Sequence, residues 1–135
     1  MKFLLDNNLP APLARALNEL SQPHDHTVIH LTEKVAQNTS DISWIQTLHQ
    51  EGGWVVISQD KFKKGDLEKR AIREAGLLVF CLAKHWNKET YWNKAHNLVR
   101  WWPKIIQQSE LISGSGAFRV PWKYGHAPKF EPVQF

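Results

Sequence analysis

Two acidic residues stand just behind two short hydrophobic runs. Phe3-Leu4-Leu5 leads straight into Asp6-Asn7-Asn8, and Trp54-Val55-Val56-Ile57-Ser58 delivers Asp60 within two residues of its end. In α/β proteins, ligands gather at the carboxyl ends of parallel strands, where the strand order reverses. Carboxylates that meet across such a crevice repel each other unless a cation or a proton lies between them. The pattern therefore predicts a divalent-metal site. Asp41, behind Thr39-Ser40, reads on its own as an acidic first-turn residue facing a helix dipole. If that helix starts above the same sheet edge, Asp41 comes within reach of Asp6 and Asp60. Three carboxylates and water give the hard-oxygen, incompletely filled coordination that Mg²⁺ or Mn²⁺ prefers. Such an ion activates water and neutralises charge on a phosphodiester under attack. Glu68 is a further acidic candidate, with a solvated helix position as its other reading.

Each residue also has a plainer role available. Asp6 with Asn7 and Asn8 can simply cap the Pro-started helix that follows, and Asp60 can be a turn residue. Either asparagine suffices as a cap, which leaves Asp6 to point into the crevice and the other amide to orient water or a phosphate oxygen. Lys61, Lys63 and Lys64, interleaved with Phe62, can hold a phosphate backbone beside the metal edge or stand as solvated loop charges. His24, His26 and His30 resemble a metal cluster in spacing, but no cysteine is near and turn or edge-strand positions explain them better than zinc. Trp86, Trp92, Trp101 and Trp102 read as core or interface anchors before base-stacking platforms.

The elements that must position these residues alternate regularly. Strands are expected at about residues 2–5, 27–31, 54–58 and 77–82, the last nearly all apolar as buried parallel strands are. Helices are expected at about 10–20, with Leu13, Ala16, Leu17 and Leu20 as its apolar stripe, from Ser40-Asp41 to Gly52, and from Asp66 to Gly76. A long helix over about 88–109, bent at Pro103, comes next. The Gly- and Pro-punctuated tail from Ser113 reads as an extended arm or a short edge strand at 117–120. The fold expected is α/β, a central parallel sheet of about four strands with helices on both faces. The domain spans residues 1–112, with 113–135 a C-terminal extension packed on it.

With 135 residues the chain is long enough for one core without disulfides, and its lone Cys81 sits in an apolar run. Only three apolar residues follow Met1-Lys2 before Asp6, and no window approaches the roughly 18 apolar residues of a membrane span. A cytoplasmic protein without membrane contact is expected. The net charge of +4 conceals an asymmetry. Residues 1–60 hold three basic and seven acidic side chains, whereas residues 61–135 hold fourteen basic and six acidic. An acidic half that supplies metal ligands, joined to a basic half, suits a phosphate-bearing partner.

Taken together, these residues resemble the PIN-like domain superfamily, in particular its compact VapC-type branch of toxin–antitoxin ribonucleases. The resemblance is carried by Phe3-Leu4-Leu5-Asp6-Asn7-Asn8-Leu9-Pro10, by Ser40-Asp41 with Trp44-Ile45, and by Trp54 to Asp60. Ala71, Arg73 to Gly76 and the strand Leu77 to Leu82 complete it, over about residues 1–82. It implies an endoribonuclease whose Asp6, Asp41 and Asp60 bind Mg²⁺ or Mn²⁺, with RNA, a cognate antitoxin and a second copy of the chain as partners. The sequence departs from the pattern at Asn7 and Lys63, where related chains carry further acids. Those departures raise the alternative of a catalytically inactive module that binds nucleic acid or a partner. A receiver-like phosphotransfer domain also places Asp at strand ends, and Lys84 suits it, but no strand-end Thr or Ser completes that set.

Overall fold

The computed structural model describes residues 1–59 and 66–135, with the side chains of Asp66 and Leu67 also outside the description. Strands β1 (Lys2–Leu5), β2 (Thr27–His30), β3 (Trp54–Gln59), β4 (Leu78–Leu82), β5 (Gly116–Val120) and β6 (Glu131–Pro132) form one sheet in the order β2-β1-β3-β4-β5-β6. The first five are parallel, and the two-residue β6 runs antiparallel to β5. Helices α1 (Ala11–Ser21), α2 (Leu31–Lys34), α3 (Asp41–Glu51), α4 (Asp66–Ala75) and α5 (Tyr91–Leu111) connect them. The α/β class and the parallel sheet agree with the sequence reading, but the sheet has six strands where about four were expected. The tail strand lies parallel to β4, fed by α5 as a crossover, and β6 covers its outer side. A strand at 117–120 was one of the two forms expected of the tail, and only its place in the sheet was hidden, because its partner, β4, is distant in sequence.

The pleat sorts the side chains into two cores. Phe3, Leu5, Val55, Ile57, Leu78, Phe80 and Leu82 pack with α1 and α5, while Leu4, Trp54, Val56, Leu77 and Val79 pack with α3 and α4. Alternation at a period of two makes this division inevitable once the strands are buried on both faces. In α1 the buried face is Leu13, Ala14, Leu17 and Ser21, and Leu20 is exposed. The expected stripe is therefore rotated. The wall it meets explains this, since the buried Trp102 indole of α5 donates to Ser21 Oγ at 2.9 Å. At the other end of the sheet, Gly52 and Gly53 adopt φ of 77° and 75°, a left-handed pair that turns α3 into β3.

Helix α5 runs through Pro103 as one element. A proline in a helix interior removes a backbone donor and crowds the preceding turn, at a cost of up to about 3 kcal/mol. Pro103 is exposed, so Pro103→Ala changes little else. It is expected to raise the urea-unfolding free energy by about 1–3 kcal/mol.

His26 gives the fold an acid-sensitive joint. Its buried ring lies 3.0 Å from the Met1 ammonium through Nδ1 and 3.6 Å from Glu110 through Nε2. Burial, then the Met1 charge, hold it below the usual value of 6.5, with Glu110 acting in the opposite direction. The unfolded chain thus takes up a proton that the folded chain resists. The contribution is complete above pH 6.5 and is lost as the pH falls through the lower folded value. His26→Gln is expected to flatten the decline of the unfolding midpoint across that mildly acidic range.

Candidate functional site

A helix that joins two parallel strands must begin at their carboxyl edge and return to their amino edge. Helices α3 and α4, on one face of the sheet, therefore both start at the edge where β1 and β3 end. Asp6 sits at that edge. Its N–H donates to Ile57 O at 3.0 Å, which extends the ladder one residue past β1 and fixes the side chain's direction. By alternation it shares the α3/α4 face with Leu4. Both Asp6 and Ser58 are 0 % exposed, each directly behind a buried hydrophobic residue, Leu5 and Ile57. Ser58 Oγ donates to Asp6 Oδ2 at 2.9 Å, and the Asn7 N–H donates to Oδ1 at 2.6 Å. Burial of a carboxylate is costly unless it is hydrogen-bonded or beside a cation. Its chemistry fits a hard divalent cation.

The loop behind Asp6 is anchored from two sides. Asn8 Nδ2 donates to Gln59 O at 3.1 Å, so that amide joins the β1 loop to the end of β3. His30, at the end of β2, donates through Nε2 to Leu9 O at 2.6 Å and accepts the Thr32 N–H on Nδ1 at 3.2 Å. His30 thus holds the loop behind Asp6, and His26, ahead of β2, holds Met1 and Glu110 instead. Asn7 borders a cavity of about 610 Å³ with α2 and the loop to Thr39.

Asp41 is the first residue of α3, behind Ser40, whose Oγ caps the Ser43 N–H at 3.2 Å. It shares Asp6's sheet edge, but its Oδ1 accepts the Trp44 indole N–H at 2.9 Å. That bond ties the carboxylate to its own helix. Glu68 is half-buried near the start of α4. Among the described residues, no three His, Cys, Asp or Glu side chains group closely enough to hold a metal. Asp60 follows Gln59 directly, and Asp60, Lys61, Lys63 and Lys64 lie outside the described residues.

Sequence reasoning passed over a second polar layer. The buried Gln59 hydrogen-bonds through Nε2 to Asn87 Oδ1, and Lys94 Nζ lies 3.5 Å from Gln59 Oε1. The only local signal was a polar Ser-Gln pair closing an otherwise apolar strand. Trp86, Trp101 and Trp102 are buried as expected, whereas Trp92 is 78 % exposed beside Tyr91.

The sheet order, the strand-end carboxylate and the helix starts above it define an α/β domain with an acidic carboxyl edge. The PIN-like domain family model matches residues 1–84, more than half of the chain. The chain belongs to the PIN-like domain family, whose members are typically metal-dependent nucleases. The match ends just after β4, so α5, β5 and β6 fall beyond it. Comparison with curated proteins and with solved structures returned no match. Among the described residues, no helix is long and apolar enough to cross a membrane.

Proposed function

We propose that this protein is a metal-dependent endoribonuclease of the VapC type, the toxin component of a toxin–antitoxin pair. The observation that carries the reading is Asp6, a fully buried carboxylate held by Ser58 at the carboxyl edge of a PIN-like sheet. Asp6, Asp41 and Asp60 would hold Mg²⁺ or Mn²⁺. Bound there, the ion supplies positive charge against a phosphodiester under attack and promotes ionisation of the attacking water. Ser58 and the Asn7 N–H keep the Asp6 oxygens in place, and Asn8 locks the loop behind them to β3. Lys94, beside Gln59, presents a cation at the same edge, and Lys61, Lys63 and Lys64 add phosphate contacts. Water is the nucleophile, and RNA is the substrate. An antitoxin protein and a second copy of the chain are the protein partners, in the cytoplasm. The motif around Asp6-Asn7-Asn8-Leu9-Pro10 supports the VapC assignment.

A non-catalytic nucleic-acid-binding module is the second reading. The Asp41–Trp44 bond favours it, as do Asn7 and Lys63 at positions where related chains carry acids. Metal titration separates the two. The nuclease reading expects Mn²⁺ binding by calorimetry that Asp6→Asn abolishes, together with Mn²⁺-dependent cleavage of a mixed RNA pool. The binding-module reading expects RNA retention that a chelator leaves unchanged and no cleavage with any divalent ion.

A further inference from the structure

Beyond the carboxyl ends of β4 and β5, the first half of α5 faces the loop that follows β5 across a cleft of about 990 Å³. Arg100 from α5 and Lys123 from the loop, both exposed, line its two walls. The His85 imidazole lies flat against Trp122, with centroids 5.4 Å apart and planes at 15°. Trp122 in turn meets the buried Trp86 edge-on at 4.7 Å, which fixes the stack to the core. The His85 side chain is still 53 % exposed, so the stack ends in an accessible ring. The Arg100 guanidinium rests 4.5 Å from the Tyr124 ring centre, which holds that charge at the rim.

The acids nearby are already engaged. Glu131, which lines the cleft, pairs with Arg119 at 3.3 Å, and Glu89 lies 2.9 Å from His85 Nε2. Among the described residues Arg100 and Lys123 have no acidic partner, so the cleft presents net positive charge. It lies at the same carboxyl edge of the sheet as the candidate site. Asn93 lines it, and the next residue, Lys94, reaches Gln59, which is one position from Ser58 and its bond to Asp6.

We propose that this cleft is a binding groove for single-stranded nucleic acid, with Arg100 and Lys123 on phosphates and His85, backed by Trp122, stacking one base. Cations alternating with exposed ring faces form the combination that holds unpaired strands without reading sequence. An acidic peptide would use the cations but leave the ring stack without a role. Duplex bases are stacked on one another and offer no face to His85. The proposal rests on the nuclease reading above and extends it, because the groove opens at the carboxyl edge that carries Asp6. All four of these residues lie outside the span that matches the PIN-like family.

The test uses the full chain in EDTA and a short fluorescent oligouridylate, with an oligodeoxythymidylate arm, read by anisotropy across a salt series. Arg100→Gln with Lys123→Gln is expected to weaken binding about tenfold and to flatten the log–log salt slope by about 1.4, or about 0.7 per lost phosphate contact. His85→Ala is expected to weaken it on the order of tenfold with the salt slope unchanged. These side chains are exposed, and unchanged thermal unfolding confirms that the variants fold. Wild-type affinity in both variants overturns the proposal, as does no binding by the wild type or equal competition from polyglutamate. Failure of the nuclease reading looks different: groove-dependent binding persists, but no divalent ion supports cleavage. If the groove variants bind and cut RNA like wild type, the groove fails and the nuclease stands.

Discussion

Asp6→Asn is expected to reduce Mn²⁺-supported RNA cleavage by at least about 100-fold while leaving the fold intact. The substitution keeps the shape of the side chain and removes its charge. Oδ1 can still accept the Asn7 N–H, and the Ser58 hydroxyl, now opposite an amide NH₂, can rotate to accept instead of donate. Stability is therefore expected to change little. Residues that merely orient a metal ligand already matter about 10- to 100-fold for affinity or activity, so loss of the ligand itself lies at or beyond the upper end. Ser58→Ala, which removes only the orienting hydroxyl, is expected to fall within that smaller range. Both are measured on one mixed RNA pool, with circular dichroism and thermal unfolding alongside. Equal cleavage by wild type and Asp6→Asn would sink the metal-nuclease reading.

The largest effect on stability is expected from Trp86→Ala. Trp86 is fully buried between β4 and α5, in the short 3-10 turn Lys84–Lys88. Its indole donates to Val120 O at 3.0 Å, so it joins the exit of β4 to the end of β5. It also backs Trp122, on which His85 rests. Truncation of a buried tryptophan costs about 3–5 kcal/mol in lost packing and cavity formation, and the missing hydrogen bond adds about 1 kcal/mol. Against a typical stability of about 5–15 kcal/mol, that is a large fraction. The melting temperature is expected to fall by about 15 °C, a scaling suited to a domain of this size. A drop of only a few degrees would mean that the β4–β5 junction is held elsewhere.

The two substitutions probe parts of the chain that were unequally legible. Asp6 was visible because its cause is local: a hydrophobic strand that ends in a carboxylate has few alternatives once buried. Ser40 as the cap of α3 was equally plain, since capping involves residues three apart. The Asp41–Trp44 bond is just as local, yet it competes with the metal role that the same aspartate was given. Spacing along the chain cannot rank two uses of one side chain.

The residues alone determined the alternation of strands and helices, the two-sided burial of the central strands and the acid at the carboxyl edge. Each follows from periodicity, helix ends or strand ends, which are properties of a few consecutive positions. The tertiary structure decided what those positions meet. Ser58 was brought to Asp6 across 52 residues and Asn87 to Gln59 across 28. The α1 face was turned toward Trp102, and a glycine-bounded tail became a parallel strand beside β4. His85 and Trp122 stack because β4 and β5 end side by side. Such contacts depend on strand order and crossover path, which local propensity does not encode, so the polar layer and the basic groove emerged only with the packed sheet.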